Sequence, residues 1–230
     1  MKPVLELKKT EKKDYAFDEA IKTLRTNIQF SANRKKVILI TSAKANEGKS
    51  SISYELSVSM TQIGKKVLLV DADIWRSVFI TRYQIEQEIF GLSQYLSGQK
   101  ELDEVVYDTN IEKFHLLPAG PFAPNPTNLF EDPLFTQMLD KAREEYDYII
   151  VDTPPLNSVI DAAVIAKYCD GAVLVLQAGG VSYKVAQKVK GQLVKSGCPI
   201  LGVVLNKVNT TSKGYYYGSY YGANGGYYPK

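Results

Sequence analysis

Six short apolar runs rich in β-branched residues recur along the chain, separated by longer stretches of helical period, and this alternation constrains the fold more than any other feature. The runs are VILIT (37–41), KVLLVD (66–71), FHLLP (114–118), YIIVD (148–152), GAVLVL (171–176) and ILGVVLN (200–206). A strand apolar at nearly every position has both faces buried, as in a parallel sheet with helices on both sides. Residues 50–63, 132–145, 160–168 and 183–196 read as helices, with Gly64 and Gly197 placed for left-handed C-terminal stops. The expectation is one α/β domain with a mostly parallel central sheet of six strands, covered by helices on both faces.

Composition narrows the class. The chain has 230 residues, 45% apolar and 23% charged, as in an ordinary globular domain. With 28 basic and 25 acidic side chains the formal charge is +3, which gives no broad basic field for nucleic acid. Cys169 and Cys198 form neither a disulfide scaffold nor a metal-ligand spacing. No apolar run approaches the roughly 20 residues that span a bilayer, and MKPVLELKKTEKK lacks the apolar core of a secretory signal. The expected location is the cytoplasm.

Two flanks lie outside the six-strand core. Residues 16–30 carry Ala20, Ile21, Leu24 and Ile28 as a helical stripe that must dock on something, after a charged arm. Residues 213–230 are a tyrosine-glycine run almost without aliphatic side chains, read as a mobile tail. Of 16 tyrosines, seven fall in it: Tyr215, Tyr216, Tyr217, Tyr220, Tyr221, Tyr227 and Tyr228. The division expected is 1–35 for arm and helix, 36–210 for a nucleotide-binding core and 211–230 for the tail.

Directly after the first run comes Ala43-Lys44-Ala45-Asn46-Glu47-Gly48-Lys49-Ser50, opening into a helix that continues with Ser51. This is the placement of a Walker A loop, with Ala43 where the usual pattern has Gly. Backbone N–H groups of residues 44–51 cradle phosphates, Lys49 reaches the β- and γ-phosphates and the Ser50 hydroxyl ligates Mg²⁺. Asn46 tolerates left-handed backbone angles. Lys44 reads either as a phosphate contact or as an exposed loop lysine. Asn206 and Lys207 read as a contact to the nucleotide base or as a turn.

Asp71 and Asp73 end the second run and Asp152 ends the fourth, so three carboxylates emerge at the C-terminal sheet edge where open α/β sheets bind ligands. Phosphoryl transfer needs charge neutralisation, an in-line nucleophile and a proton acceptor. Asp152 suits the metal shell, with Asp71 and Ser50 as further candidate ligands. Asp71 or Asp73 suits the base for a phenol that ionises near pH 10. His115, in a strand, reads as a packed or edge residue.

Lys44 five residues before Lys49, the Asp71-Ala72-Asp73 motif and Asp152-Thr153-Pro154-Pro155 resemble the deviant P-loop group that includes the partition and division-site ATPases. Together with the tail, they resemble the bacterial tyrosine kinases of capsular and exopolysaccharide synthesis. The resemblance extends to ProAsnProThr at 124–127 and to Glu19, Lys22 and Arg25, which match a Glu-x-x-Arg-x-x-Arg self-assembly motif with Lys in place of the first Arg. It implies ATP and Mg²⁺ as cofactors, catalysis by Lys49, Asp71, Asp73 and Asp152, and phosphorylation of the seven tail tyrosines between subunits of a ring-like homo-oligomer. It also implies activation by the cytoplasmic segment of a membrane-embedded polysaccharide co-polymerase, recruitment to the inner face of the membrane, a cognate tyrosine phosphatase and no nucleic acid. The chain departs from that pattern at Trp75, where an Arg is usual, with Arg76 following.

Without the resemblance, Glu19, Lys22 and Arg25 read as a solvated helix face holding one ion pair. The tail also reads as a sticky linker or as a stacking platform for single-stranded nucleic acid. A partition or division-type ATPase that changes oligomeric state with ATP is the alternative function, and a nucleotide-gated scaffold the third. Neither explains the tail.

Overall fold

The structure, a computed structural model, describes residues 2–8, 15–31 and 35–208. Its strands are β1 (Val4–Leu5), β2 (Val37–Ser42), β3 (Val67–Asp71), β4 (Tyr107–Thr109), β5 (Phe114–Leu117), β6 (Tyr148–Asp152), β7 (Gly171–Gln177) and β8 (Ile200–Asn206). Its helices are α1 (Tyr15–Ser31), α2 (Lys49–Thr61), α3 (Phe79–Arg82), α4 (Leu92–Leu96), α5 (Leu102–Val105), α6 (Pro126–Glu131), α7 (Pro133–Glu145), α8 (Asp161–Ala166) and α9 (Tyr183–Lys195). The sheet runs β1-β4-β5-β3-β6-β2-β7-β8, and among the described residues only the β4–β5 pairing is antiparallel.

The six apolar runs are all strands, and two strands extend the sheet beyond them. β1 and β4 are two and three residues long, too short to show a pattern, and the arm reaches the sheet edge where Val4 lies opposite Asp108. Central strands alternate between two cores. Val37, Leu39, Val70 and Val151 face one side with α7, α8 and α9; Ile38, Ile40, Leu69 and Ile150 face the other, under α1 and α2. Cover stops at one end, for Val203 and Leu205 of edge strand β8 are exposed. The docking surface for α1 is α2: Ile21 and Ile28 are buried, Leu24 packs beside them, and Ala20 stays exposed. Gly64 and Gly197 take the left-handed angles expected, φ 82° and 81°.

Chain direction across the sheet positions the site. From β2 the chain passes over β6 to reach β3, whereas from β6 it passes over β2 to reach β7. The connections leave in opposite directions, so a crevice opens between the C-terminal ends of β2 and β6, where open α/β sheets bind ligands.

Candidate active site

The loop between β2 and α2 closes on itself before any ligand is considered. Glu47 is buried, and its carboxylate accepts from the backbone N–H of Lys44 at 2.7 Å and of Gln177 at 3.1 Å. That side chain holds the loop, leaving phosphate contacts to the backbone and to the free N–H groups of the first turn of α2. Asn46 and Gly48 turn the loop with φ of 64° and 93°. A Cβ on Gly48 would lie 2.2 Å from Asn206 Nδ2, which donates to the Glu47 carbonyl at 2.8 Å. Lys207 Nζ donates to the Asn46 carbonyl at 2.6 Å, so the end of β8 is laced to the loop. Lys44 is exposed, with Nζ 3.0 Å from the Gly180 carbonyl.

Lys49 reaches across the crevice. Its Nζ lies 2.9 Å from Asp73 Oδ2, 3.2 Å from Ser50 Oγ and 3.6 Å from Asp152 Oδ2. Burial works against the ammonium, yet the charges of Asp152 and Asp73 raise its pKa above the ordinary lysine value. Asp71 and Asp152 are direct neighbours across the β3–β6 pairing. Burial, then the Asp152 charge, push the Asp71 carboxyl up to about 7, although Ser77 Oγ donates to Oδ2. Burial also raises Asp152, against the pull of Lys49. The lysine therefore holds together carboxylates that would otherwise repel in a medium of low dielectric constant.

All four sequence-assigned catalytic residues meet here, in distinct places. Asp73, with Lys49 and Ser50, lines a cavity of about 1090 Å³, while Asp71 is fully buried behind it with Oδ1 accepting from the Asp73 backbone N–H. Asp152 Oδ1 accepts from Ser53 Oγ at 2.9 Å, whereas its Oδ2 is buried without a hydrogen-bond partner. A buried carboxylate oxygen that makes no hydrogen bond and faces the Lys49 ammonium at 3.6 Å fits Mg²⁺, which takes few protein oxygens and fills the rest of its shell with water and phosphate.

Several residues escaped the sequence reading. Ser53 lies one turn after Lys49 on the same face of α2, a spacing visible in the sequence. Nothing in the sequence pairs Ser77 with Asp71, or the Arg82 guanidinium with Ser51 Oγ. Asp161 is fully buried, with Trp75 Nε1 and Thr127 Oγ1 donating to it. Arg76, next to the site, gives its backbone N–H to Asp73 Oδ1.

Of the proposed assembly residues, Glu19 and Lys22 form an exposed ion pair at 2.6 Å, whereas Arg25 turns inward and donates to the Ser59 carbonyl and hydroxyl on α2. The seven tail tyrosines lie outside the described residues. His115 is half-buried in β5, its Nδ1 2.6 Å from the Tyr146 hydroxyl. Among the described residues no helix is long and apolar enough to cross a membrane.

The model of the AAA domain family matches residues 35–189. Tyrosine-protein kinase CpsD of Streptococcus agalactiae is 43% identical over 204 residues, 88% of this chain and 89% of its own length. The crystal structure of the chimerical protein CapA2B2 superimposes with a TM-score of 0.81 at 29% identity, covering 90% of this chain and 95% of that one. The septum site-determining protein MinD of Pyrococcus horikoshii, complexed with Mg-ADP, gives a TM-score of 0.62 at 26% identity, covering 74% and 69%. With a relative this similar along nearly its whole length, and a phosphate loop facing three strand-end aspartates, the chain belongs to the bacterial tyrosine-protein kinases, built on a P-loop domain of the AAA type.

Proposed function

We propose that the chain transfers the γ-phosphate of ATP to Tyr215, Tyr216, Tyr217, Tyr220, Tyr221, Tyr227 and Tyr228 between subunits of a ring-like homo-oligomer, and so regulates capsular or exopolysaccharide synthesis and export. The observation that carries this reading is the meeting of Lys49 with Asp73 and the buried Asp152, where Lys49 and Asp73 line one cavity. Nucleotide use is supported by the Mg-ADP held by the MinD neighbour.

On ATP binding, the loop N–H groups and Lys49 take the phosphates, and Lys49 exchanges the Asp73 carboxylate for phosphate oxygens. Ser50 and Asp152 would hold Mg²⁺, with Asp71 behind them; the ion neutralises charge developing on the transferred group. The phenolic proton passes to Asp73, which lines the cavity, or to Asp71, which is buried behind it. Glu19, Lys22 and Arg25 serve as the self-assembly surface, with Glu19 and Lys22 exposed and Arg25 held against α2. A membrane-embedded activator recruits the enzyme to the inner face of the membrane through its cytoplasmic segment, and a tyrosine phosphatase reverses the modification.

Mass spectrometry of the purified protein after incubation with Mg-ATP tests this reading. Phosphate is expected on residues 215–228 and is absent in Lys49→Met and Asp73→Asn, with circular dichroism confirming that each variant is folded. Wild-type labelling in both folded variants would remove the site.

A further inference from the structure

Trp75 is the chain's one tryptophan and stands where the resemblance leads to an arginine. Its residue is 46% exposed, yet the indole is fastened: Nε1 donates at 2.6 Å to Asp161 Oδ2, and Asp161 is fully buried and also accepts from Thr127 Oγ1. One carboxylate thus ties together the loop after β3, the first turn of α6 and the start of α8. Burying a carboxylate is costly without such partners, and here the partner is a ring left half in water. Phe122, 63% exposed, stands beside it with ring centroids 5.6 Å apart, giving two adjacent rings on one surface. Trp75 lines the same cavity as Lys49, Asp73 and Arg76, and that cavity continues to Asn206 and Lys207.

Resting on the kinase reading of this cavity, we propose that Trp75 and Phe122 form an aromatic shelf that binds the tyrosine-glycine segment, residues 215–228, and holds its phenol rings beside the phosphates. The described chain leaves the core at Val208, two residues beyond Asn206, whose amide is bonded to the phosphate loop. From Val208 to Tyr215 is seven residues, a contour of at most about 25 Å. That length puts the first acceptor within reach of this cavity or of a neighbouring subunit's. Residues 214–228 hold no charged side chain, so an arginine at position 75 would find no ion-pair partner among them, whereas offset or edge-to-face ring packing suits both sides. The glycines between the tyrosines let backbone approach the shelf without a Cβ in the way. Trp75 and Phe122 are substrate-binding residues on this account, and Asp161 positions the indole.

The single tryptophan supplies its own probe. In the full chain with the seven tail tyrosines changed to Ser, a peptide of residues 212–230 is expected to change Trp75 emission saturably, and Phe122→Ala to weaken that binding about tenfold. In peptide phosphorylation, Trp75→Ala should raise the peptide KM about tenfold while kcat and the KM for ATP stay unchanged, with Trp75→Phe, which keeps a ring but loses the bond to Asp161, restoring part of the loss. Emission that responds to ADP alone and not to the peptide would make this a base-stacking site and overturn the proposal, as would an unchanged peptide KM. A peptide that binds Trp75 yet receives no phosphate from the wild-type chain would overturn the kinase reading and leave the shelf standing.

Discussion

Asp71 keeps its proton to about pH 7 in the folded chain, against 3.8 as the ordinary value, because burial and then the Asp152 carboxylate oppose its charge. Between those values the folded state binds the proton and the unfolded state does not, so the free energy of unfolding falls as pH rises from about 4 to about 7 and levels off above. Asp152, also raised, adds slope of the same sign. Asp71→Asn removes the Asp71 part. In nucleotide-free, EDTA-treated protein it should raise Tm at pH 8 and leave it nearly unchanged at pH 4, with a gain of up to about 4 kcal/mol from three pKa units. An equal effect at both pH values would mean that Asp71 is not charged against resistance. The same electrostatics bear on Lys49→Met, which leaves the Asp73 and Asp152 carboxylates uncompensated and so lowers stability as well as activity. At this scale the residues that meet at the site were legible because each lies at the end of an apolar run or follows a glycine turn. Partners such as Ser77 for Asp71, or Asp161 for Trp75, were not, because they depend on how segments 6 and 86 residues apart are brought together.

The phosphate loop and the first helix show how elements gain function from their neighbours. Gly48 and Gly98 both have positive φ, at 93° and 70°, but a Cβ on Gly98 meets nothing within 4 Å whereas one on Gly48 overlaps Asn206 Nδ2. Gly98→Ala should therefore cost only the left-handed strain, about 1–2 kcal/mol. Gly48→Ala should cost more and abolish nucleotide binding, because it also breaks the Asn206 bond that shapes the loop. Adding Asn206→Ala should recover part of the stability; denaturant titration of the three variants measures the difference. On α1, Glu19→Ala with Lys22→Ala removes an exposed pair worth a few tenths of a kcal/mol, so Tm should hold while light scattering shows smaller assemblies. Arg25→Ala should instead lower Tm, since its guanidinium joins α1 to Ser59. Long strands were legible from their apolar runs. β1 and β4 were not, because two or three residues carry no period and their pairing is set by the sheet edge they meet.

The whole molecule carries a formal charge of +3, and its seven tail tyrosines fall within its last sixteen residues. Each phosphate adds about 1.5 to 2 negative charges at pH 7, so complete modification takes the chain from mildly basic to a net charge of about −7 to −11. Within residues 213–230 the only fixed cations are Lys213 and Lys230, so this charge is almost uncompensated locally. In a ring, tails brought within the roughly 8 Å Debye length of physiological salt repel one another. They also repel Asp73, which borders the cavity where the acceptors dock. On the proposed function, the uncharged tail should therefore be the one compatible with both the shelf and the assembled state, and phosphorylation should release it from each. Sedimentation of the phosphorylated and unphosphorylated protein should show dissociation on phosphorylation at low salt and a much smaller effect at 1 M salt, where the Debye length falls to about 3 Å. Equal stability of the two forms at low salt would mean that the charge acts on a separate partner protein and not on the ring itself.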